Sequence, residues 1–153
     1  MKKYKPYIIS FIVTFAAAGI GAIATYLGMD TFDRLIKPPF TPPSFLFPIV
    51  WTILYAVMAI GAARVYLRGR KGFTLQLKFY GIHLLLNMLW SIIFFSLGAY
   101  LFAFIWLFAL WLTVLLMIIT FYPVDKVSSL IQIPYLIWLS FAAYLNFGIY
   151  FLN

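Results

Sequence analysis

The stretch KPPFTPPSFLFPIVWTILY, residues 37–55, passes from a proline-stiffened loop into an aromatic-rich apolar helix. Four of the eight prolines fall within 38–43. Proline fixes φ and disfavours helix at the residue before it, so this segment is expected to be extended and stiff. A stiff segment makes a poor linker and a good lid. Trp51 and Tyr55 follow, one helical turn apart on one face. The pattern fits a cover over an aromatic pocket. It also describes a membrane-surface loop followed by an interfacial aromatic belt.

Working outward, composition settles the solvent. The chain has 153 residues, 66% of them apolar and 22% aromatic. Its mean hydropathy is +1.06. Soluble domains are nearer ~45–50% apolar. Asp30, Asp33 and Asp125 are the only acids, and the net charge is +8. The basic residues sit between long apolar runs, which is topogenic charge on a membrane protein and excludes nucleic acid as a partner. Cysteine is absent, so there is no disulfide framework and no thiolate metal site. Ala16-Ala17-Ala18 mimics a signal-peptidase site, but the apolar run continues to Leu27, so an uncleaved first helix is expected.

A hydrocarbon core of ~30 Å needs about 20 apolar residues per helix. Five segments qualify, at about 7–27, 45–67, 75–97, 101–122 and 128–152, with a lid loop at 28–44. In lipid the backbone must satisfy its own polar groups, so these are helices. Short connectors make neighbours antiparallel, giving an all-α, single-domain, five-helix membrane bundle over 1–153. Placing the N-terminus in the cytoplasm puts Lys2, Lys3, Lys5, Arg64, Arg68, Arg70, Lys71, Lys78 and Lys126 inside, against Arg34 and Lys37 outside. That bias leaves the proline loop and the C-terminus outside. Ala17-x-x-x-Gly21 and Ala18-x-x-x-Ala22 allow close helix approach, within the bundle or in a dimer.

Polar groups inside spans are the first candidates for function. His83, Asn87 and Ser91 share one face of the third helix, beside Trp90. The fifth carries Gln132, Pro134, Tyr135, Trp138 and Asn146, and Pro134 is expected to kink it. Counting ~1.5 Å per residue from the outer ends, Trp51 and Asn146 lie about 9 Å down, Trp90 about 10 Å, Asn87 and Ala142 about 15 Å and Trp138 about 21 Å. Most sit in the outer half beneath the loop. A site of this kind suits a large, flat, apolar ligand. Each amide also has a plainer use as interhelical glue, and a lone His83 reads as a core histidine rather than a haem ligand. Trp106 and Trp111 read as packing or lipid-facing residues. There is no carboxylate pair within the spans, no Ser-His-Asp set, no metal-ligand cluster and no phosphate loop.

Three ordered motifs then carry a resemblance across essentially the whole chain. Lys37-Pro38…Pro42-Pro43…Phe47-Pro48-x-x-Trp51-x-x-x-Tyr55 resembles the loop and second helix of the tryptophan-rich sensory protein family (TspO/MBR), which includes the mitochondrial translocator protein, once called the peripheral benzodiazepine receptor. Leu86-Asn87-x-x-Trp90-Ser91-x-x-Phe94-Phe95 resembles its third helix, and Pro134-Tyr135-x-x-Trp138-x-x-x-Ala142-x-Tyr144-Leu145-Asn146 its fifth. The resemblance implies a bacterial receptor or sensor in the cytoplasmic membrane, often dimeric. It implies binding of porphyrins such as protoporphyrin IX, and of benzodiazepine and isoquinoline drugs, with no cofactor required. Trp51, Asn87, Trp90, Trp138, Ala142, Leu145 and Asn146 match family pocket positions; Tyr55 and Ser91 join them as ligand-binding candidates, with Pro38, Pro39, Pro42 and Pro43 as the lid. Two rival readings stand beside it: light- and oxygen-dependent porphyrin breakdown with Trp51 and Trp138 as catalytic residues, and transport of porphyrins or lipids. The family's animal cholesterol motif is incomplete here, because Phe147 and Phe151 replace its Tyr and Arg.

Overall fold

The computed structural model describes residues 4–69 and 74–153, so Lys2, Lys3, Arg70 and Lys71 of the charge count lie outside the described residues. The order of elements is α1 (Lys5–Arg34), α2 (Leu46–Arg68), α3 (Thr74–Ser91), a π-helical turn (Ile92–Ser96), α4 (Tyr100–Phe121), α5 (Lys126–Leu130) and α6 (Ile133–Leu152). Among the described residues there is no strand. Five helical spans, Lys5–Arg34, Leu46–Arg68, Leu75–Ser96, Tyr100–Phe121 and Lys126–Leu152, are long and apolar enough to cross a membrane. The expected all-α architecture of five spans is the observed one.

The ends of the elements follow from local chemistry. Pro48 sits in the first turn of α2, where its missing N–H costs nothing. Pro134 opens α6, and the span breaks just before it, at Ile131 and Gln132. The proline can neither donate to Leu130 nor tolerate its carbonyl in helical position, so the expected kink becomes a break. Gly98, at φ 61°, makes the tight turn into α4.

One boundary differs from expectation. The first span does not stop near Leu27; α1 runs on to Arg34, and the loop is 35–45 rather than 28–44. Gly28 is not a helix stop. It is a point of close approach, where a Cβ would lie 2.8 Å from the carbonyl carbon of Phe95. Gly21 does the same against Ser91, whose Oγ would be 3.2 Å from an added Cβ. The two glycines seat α1 against α3 and the π turn.

The helices form a ring. α1 lies between α2 and α3; α4 lies between α3 and α6; α5 returns to α2. Leu107, Leu110, Val114 and Met117 of α4 are fully buried along the ring's far side. In the half away from the loop, Ser10 Oγ donates to the Ala59 carbonyl at 2.7 Å, and Thr14 shares a hydrogen bond with the Tyr80 hydroxyl. These join α1 to α2 and α3 there.

Asp125, in the turn between α4 and α5, fastens the same end. Its buried carboxylate accepts from Arg64 Nε at 2.8 Å, Arg68 at 2.5 Å and Ser128 Oγ at 2.5 Å. Burial alone would raise its pKa. The hydrogen bonds from Arg64 and Ser128, with the charges of Arg64 and Arg68, outweigh burial and hold it below the ordinary value of 3.8. The folded form therefore releases this proton more readily than the unfolded chain. Its contribution to stability is fully present above the unfolded value and is lost as pH falls through the lower, folded value. Asp125→Asn is expected to cost about 1.5–3 kcal/mol, the range for hydrogen bonds to charged groups, kept low because half-exposed Arg68 is screened. Thermal unfolding in detergent near neutral pH should show the loss, and the variant should lose less stability than the parent below pH ~4.

Candidate functional site

The half of the ring nearest the loop encloses a cavity of about 420 Å³, bounded by α1, α2, α3 with its π turn, and α6. Its construction starts from Trp51. The Trp51 ring stacks on Tyr55, with centroids 5.5 Å apart, as their spacing of one turn requires. It meets Trp90 of α3 at 6.4 Å and stands edge-on to Trp138 of α6 at 6.5 Å. Trp51 is thus the piece that three helices share. Aromatic pairs at these separations gain ~0.5–1.5 kcal/mol beyond their burial.

The second group comes from the π turn. A π turn carries one more residue than the α-helical turn it replaces, so neighbouring side chains are redistributed around the axis. Here Trp90, Ser91, Phe94 and Phe95 all reach the cavity wall. Phe32, near the end of α1, closes this corner against Phe94 at 6.2 Å and Phe95 at 5.7 Å. Phe47 links it to α2 at 6.0 Å.

Several polar groups in and behind the walls are occupied with one another, whereas Trp51 Nε1 and Ser91 Oγ on the wall have no partner. Tyr55 donates to Asn87 Oδ1 at 3.3 Å, and Asn87 Nδ2 donates to the Tyr135 hydroxyl at 2.8 Å. Trp90 Nε1 donates to Asn146 Oδ1 at 3.1 Å, while Asn146 Nδ2 donates to the Tyr100 carbonyl at 2.8 Å. Trp138 differs. Its indole Nε1 is buried without a partner, and the residue lines the cavity. A buried N–H without an acceptor is costly, so a ligand oxygen or nitrogen placed there would be favoured.

A loop covers the end of the ring. Tyr144 donates to the Pro39 carbonyl at 2.9 Å. Ile36 N–H donates to Asn153 Oδ1 at 3.0 Å, and Asn153 Nδ2 returns a bond to the Ile36 carbonyl at 2.9 Å. Pro38 packs on Gly148, where a Cβ would lie 2.6 Å from its ring. The expected extended run is interrupted by a turn at Pro39–Phe40, with Phe40 at φ 64°. Thr41 Oγ1 donates to the Pro38 carbonyl across that turn at 2.6 Å.

The sequence model of the TspO/MBR family matches residues 9–152. The chain belongs to that family. Protein CrtK of Rhodobacter capsulatus is 36% identical over 149 residues, covering 96% of this chain and 92% of its own length. Tryptophan-rich protein TspO of Chlorobaculum tepidum is 40% identical over 124 residues, covering 80% and 78%. Tryptophan-rich sensory protein of Cereibacter sphaeroides is 34% identical over 148 residues, covering 94% and 92%. Family membership and five apolar spans make this an integral membrane protein.

Set on this TspO/MBR fold, the sequence-predicted residues divide. Trp51, Tyr55, Trp90, Ser91, Trp138, Ala142, Leu145 and Asn146 line the cavity. Asn87 does not; it is buried behind Tyr55 and Tyr135. Pro38, Pro39, Pro42 and Pro43 belong to the covering loop without lining the space, and Phe45, Phe47 and Pro48 line it instead. His83 is buried with Nε2 3.4 Å from Met58 Sδ and its ring against Tyr80 and Tyr135, off the wall. Trp106 and Trp111 pack through their indoles, onto the Leu86 carbonyl and Ser140 Oγ, both at 2.9 Å. The wall that sequence reasoning missed is α1: Ala18, Gly21, Ala22, Thr25, Tyr26, Met29 and Phe32. Its signal was the small-residue spacing, which reads equally well as packing.

Trp138→Phe keeps an aromatic ring and removes the free N–H. It should weaken ligands that carry an acceptor by about 1–2 kcal/mol and leave purely hydrocarbon aromatics nearly unchanged, as titrations by fluorescence quenching would show.

Proposed function

We propose that this protein is a membrane receptor or sensor that binds flat, largely apolar ligands in the cavity beneath the proline loop. Tetrapyrroles of the protoporphyrin IX type, and isoquinoline- or benzodiazepine-like drugs, are the ligand classes. The observation that carries the reading is the cavity wall: a cluster of indole and phenyl faces with few polar groups, among them the unpaired indole N–H groups of Trp51 and Trp138 and the Ser91 hydroxyl. Such a wall favours ring systems by stacking and shape. A relative named as a sensory protein supports a sensing role. Bacterial relatives and the excess of Lys and Arg on one side support the cytoplasmic membrane of a bacterium, with the loop outside.

One observation favours a second reading. Trp51 and Trp138 stand edge-to-face at 6.5 Å on the same wall, so a bound porphyrin would touch two oxidisable indoles. Light- and oxygen-dependent breakdown of the porphyrin is the activity such contact would serve.

A titration of the purified protein with protoporphyrin IX, first in the dark and then under light, separates the two. Porphyrin absorption and tryptophan fluorescence are followed together, beside a Trp51→Phe/Trp138→Phe variant. The receptor reading expects saturable, stoichiometric quenching without loss of porphyrin. Multiple-turnover loss that disappears in the double variant would establish the enzyme instead. Absence of saturable binding would remove both.

A further inference from the structure

We infer that the ligand enters sideways from the bilayer, through the seam between α1 and α2, and that the proline loop is a fixed roof. The inference rests on the binding reading above and adds the ligand's source. That source is the leaflet adjoining the loop, and the ligand is a flat amphiphile dissolved in it.

Burial around the cavity is graded in one direction. The rear wall is closed: Trp90, Phe94, Ala142 and Leu145 are all buried. The edges facing outward are open. Ala22 and Tyr26 of α1 and Phe45 and Pro48 opposite them line the cavity and are exposed; Tyr26 is 81% exposed and Phe45 67%. These residues flank one seam.

The seam has a definite lower limit. Phe15 of α1 meets Tyr55 of α2 edge-on at 6.4 Å, and further down Ser10 is bonded to Ala59. The opposite side of α1 admits nothing, because Gly21 and Gly28 press it against α3 and the π turn. The slot therefore spans only the loop half. Tyr26 and Ala22 lie about 12 and 18 Å along α1 from Arg34, at the depth of lipid rather than water.

The roof is built to stay. Bonds from Tyr144 and Asn153, and the seating of Pro38 on Gly148, hold it to α6, on the far side from the seam. Ser44 Oγ donates to Asp33 Oδ1 at 2.8 Å, tying the loop's second end to the end of α1. Tyr26, Thr25 and Ser44 put hydroxyls along the open edge, while the deeper wall offers few polar groups without a partner, the indole N–H groups of Trp51 and Trp138 and the Ser91 hydroxyl. A ring system would enter apolar edge first and keep its polar substituents at the seam.

The test uses the full chain in lipid vesicles loaded with protoporphyrin IX. Excess empty vesicles then draw the porphyrin out, and recovery of tryptophan fluorescence gives the release rate. Entry and exit share one path, so a variant at the gate changes both. Ala22→Trp should slow release by at least about tenfold, and Tyr26→Ala should speed it several-fold. Ile23→Trp, which places the same indole on the neighbouring lipid-facing position, should match the parent, as should Asn153→Ala. Release unchanged in both seam variants, or accelerated about tenfold by Asn153→Ala, would overturn the inference. The opposite sign expected of Tyr26→Ala keeps the test decisive if Ala22→Trp folds poorly. If the unaltered protein shows no saturable quenching, the binding reading falls and this route falls with it; saturable binding with no seam effect removes the route alone.

Discussion

Gly28 lies so close to the backbone of Phe95 that no side chain could stand between them, and much of the site is arranged by that contact. In a bilayer, apolar surface gives helices no reason to prefer one another over lipid. Close backbone approach does, because it adds dispersion contacts that lipid tails cannot match. Gly21 and Gly28 draw α1 onto α3 and the π turn, and the ring is tight on that side. Its other side, toward α2, is bridged at two levels, by Ser10 and Phe15 in one half and by Phe32 on Phe47 beneath the loop. The void left between those bridges is the cavity.

The cavity keeps its character because its amides are spent. Asn146 serves Trp90 and Tyr100 at once, and Asn87 serves Tyr55 and Tyr135. Each bond ties two helices together and also removes an amide that would otherwise hold water in the space. Stability and the apolar character of the cavity thus come from the same side chains. An amide that is glue for the bundle is the reason the wall above it is dry, so the two roles weighed from the sequence are not rivals.

Much of this was legible in the sequence. The five apolar runs gave the number of spans, and the one-turn spacing of Trp51 and Tyr55 put both on the cavity wall. Three features were not legible, for physical reasons. Gly28 stands at the edge of an apolar run, where a helix stop and a close-approach glycine look alike; only the position of Phe95 separates them. The π turn leaves no periodic mark, since five residues are too few to shift a hydrophobic pattern. Asn87 shares a helical face with Ser91, yet one lines the space and the other is buried beneath it, and depth along a face is set by the neighbours rather than by the spacing.

The roof has a consequence for biosynthesis. Its bond between Ile36 and Asn153 joins positions 117 residues apart. Loop and second helix emerge early, but the anchor for that loop is not available until the fifth span has been made and has docked. Contacts of such separation form late, because the chain between them must be ordered first. During synthesis the aromatic half-site of Trp51 and Phe47 therefore waits in lipid without Trp138 or its cover. The wall and its roof are therefore completed together, when the fifth span docks.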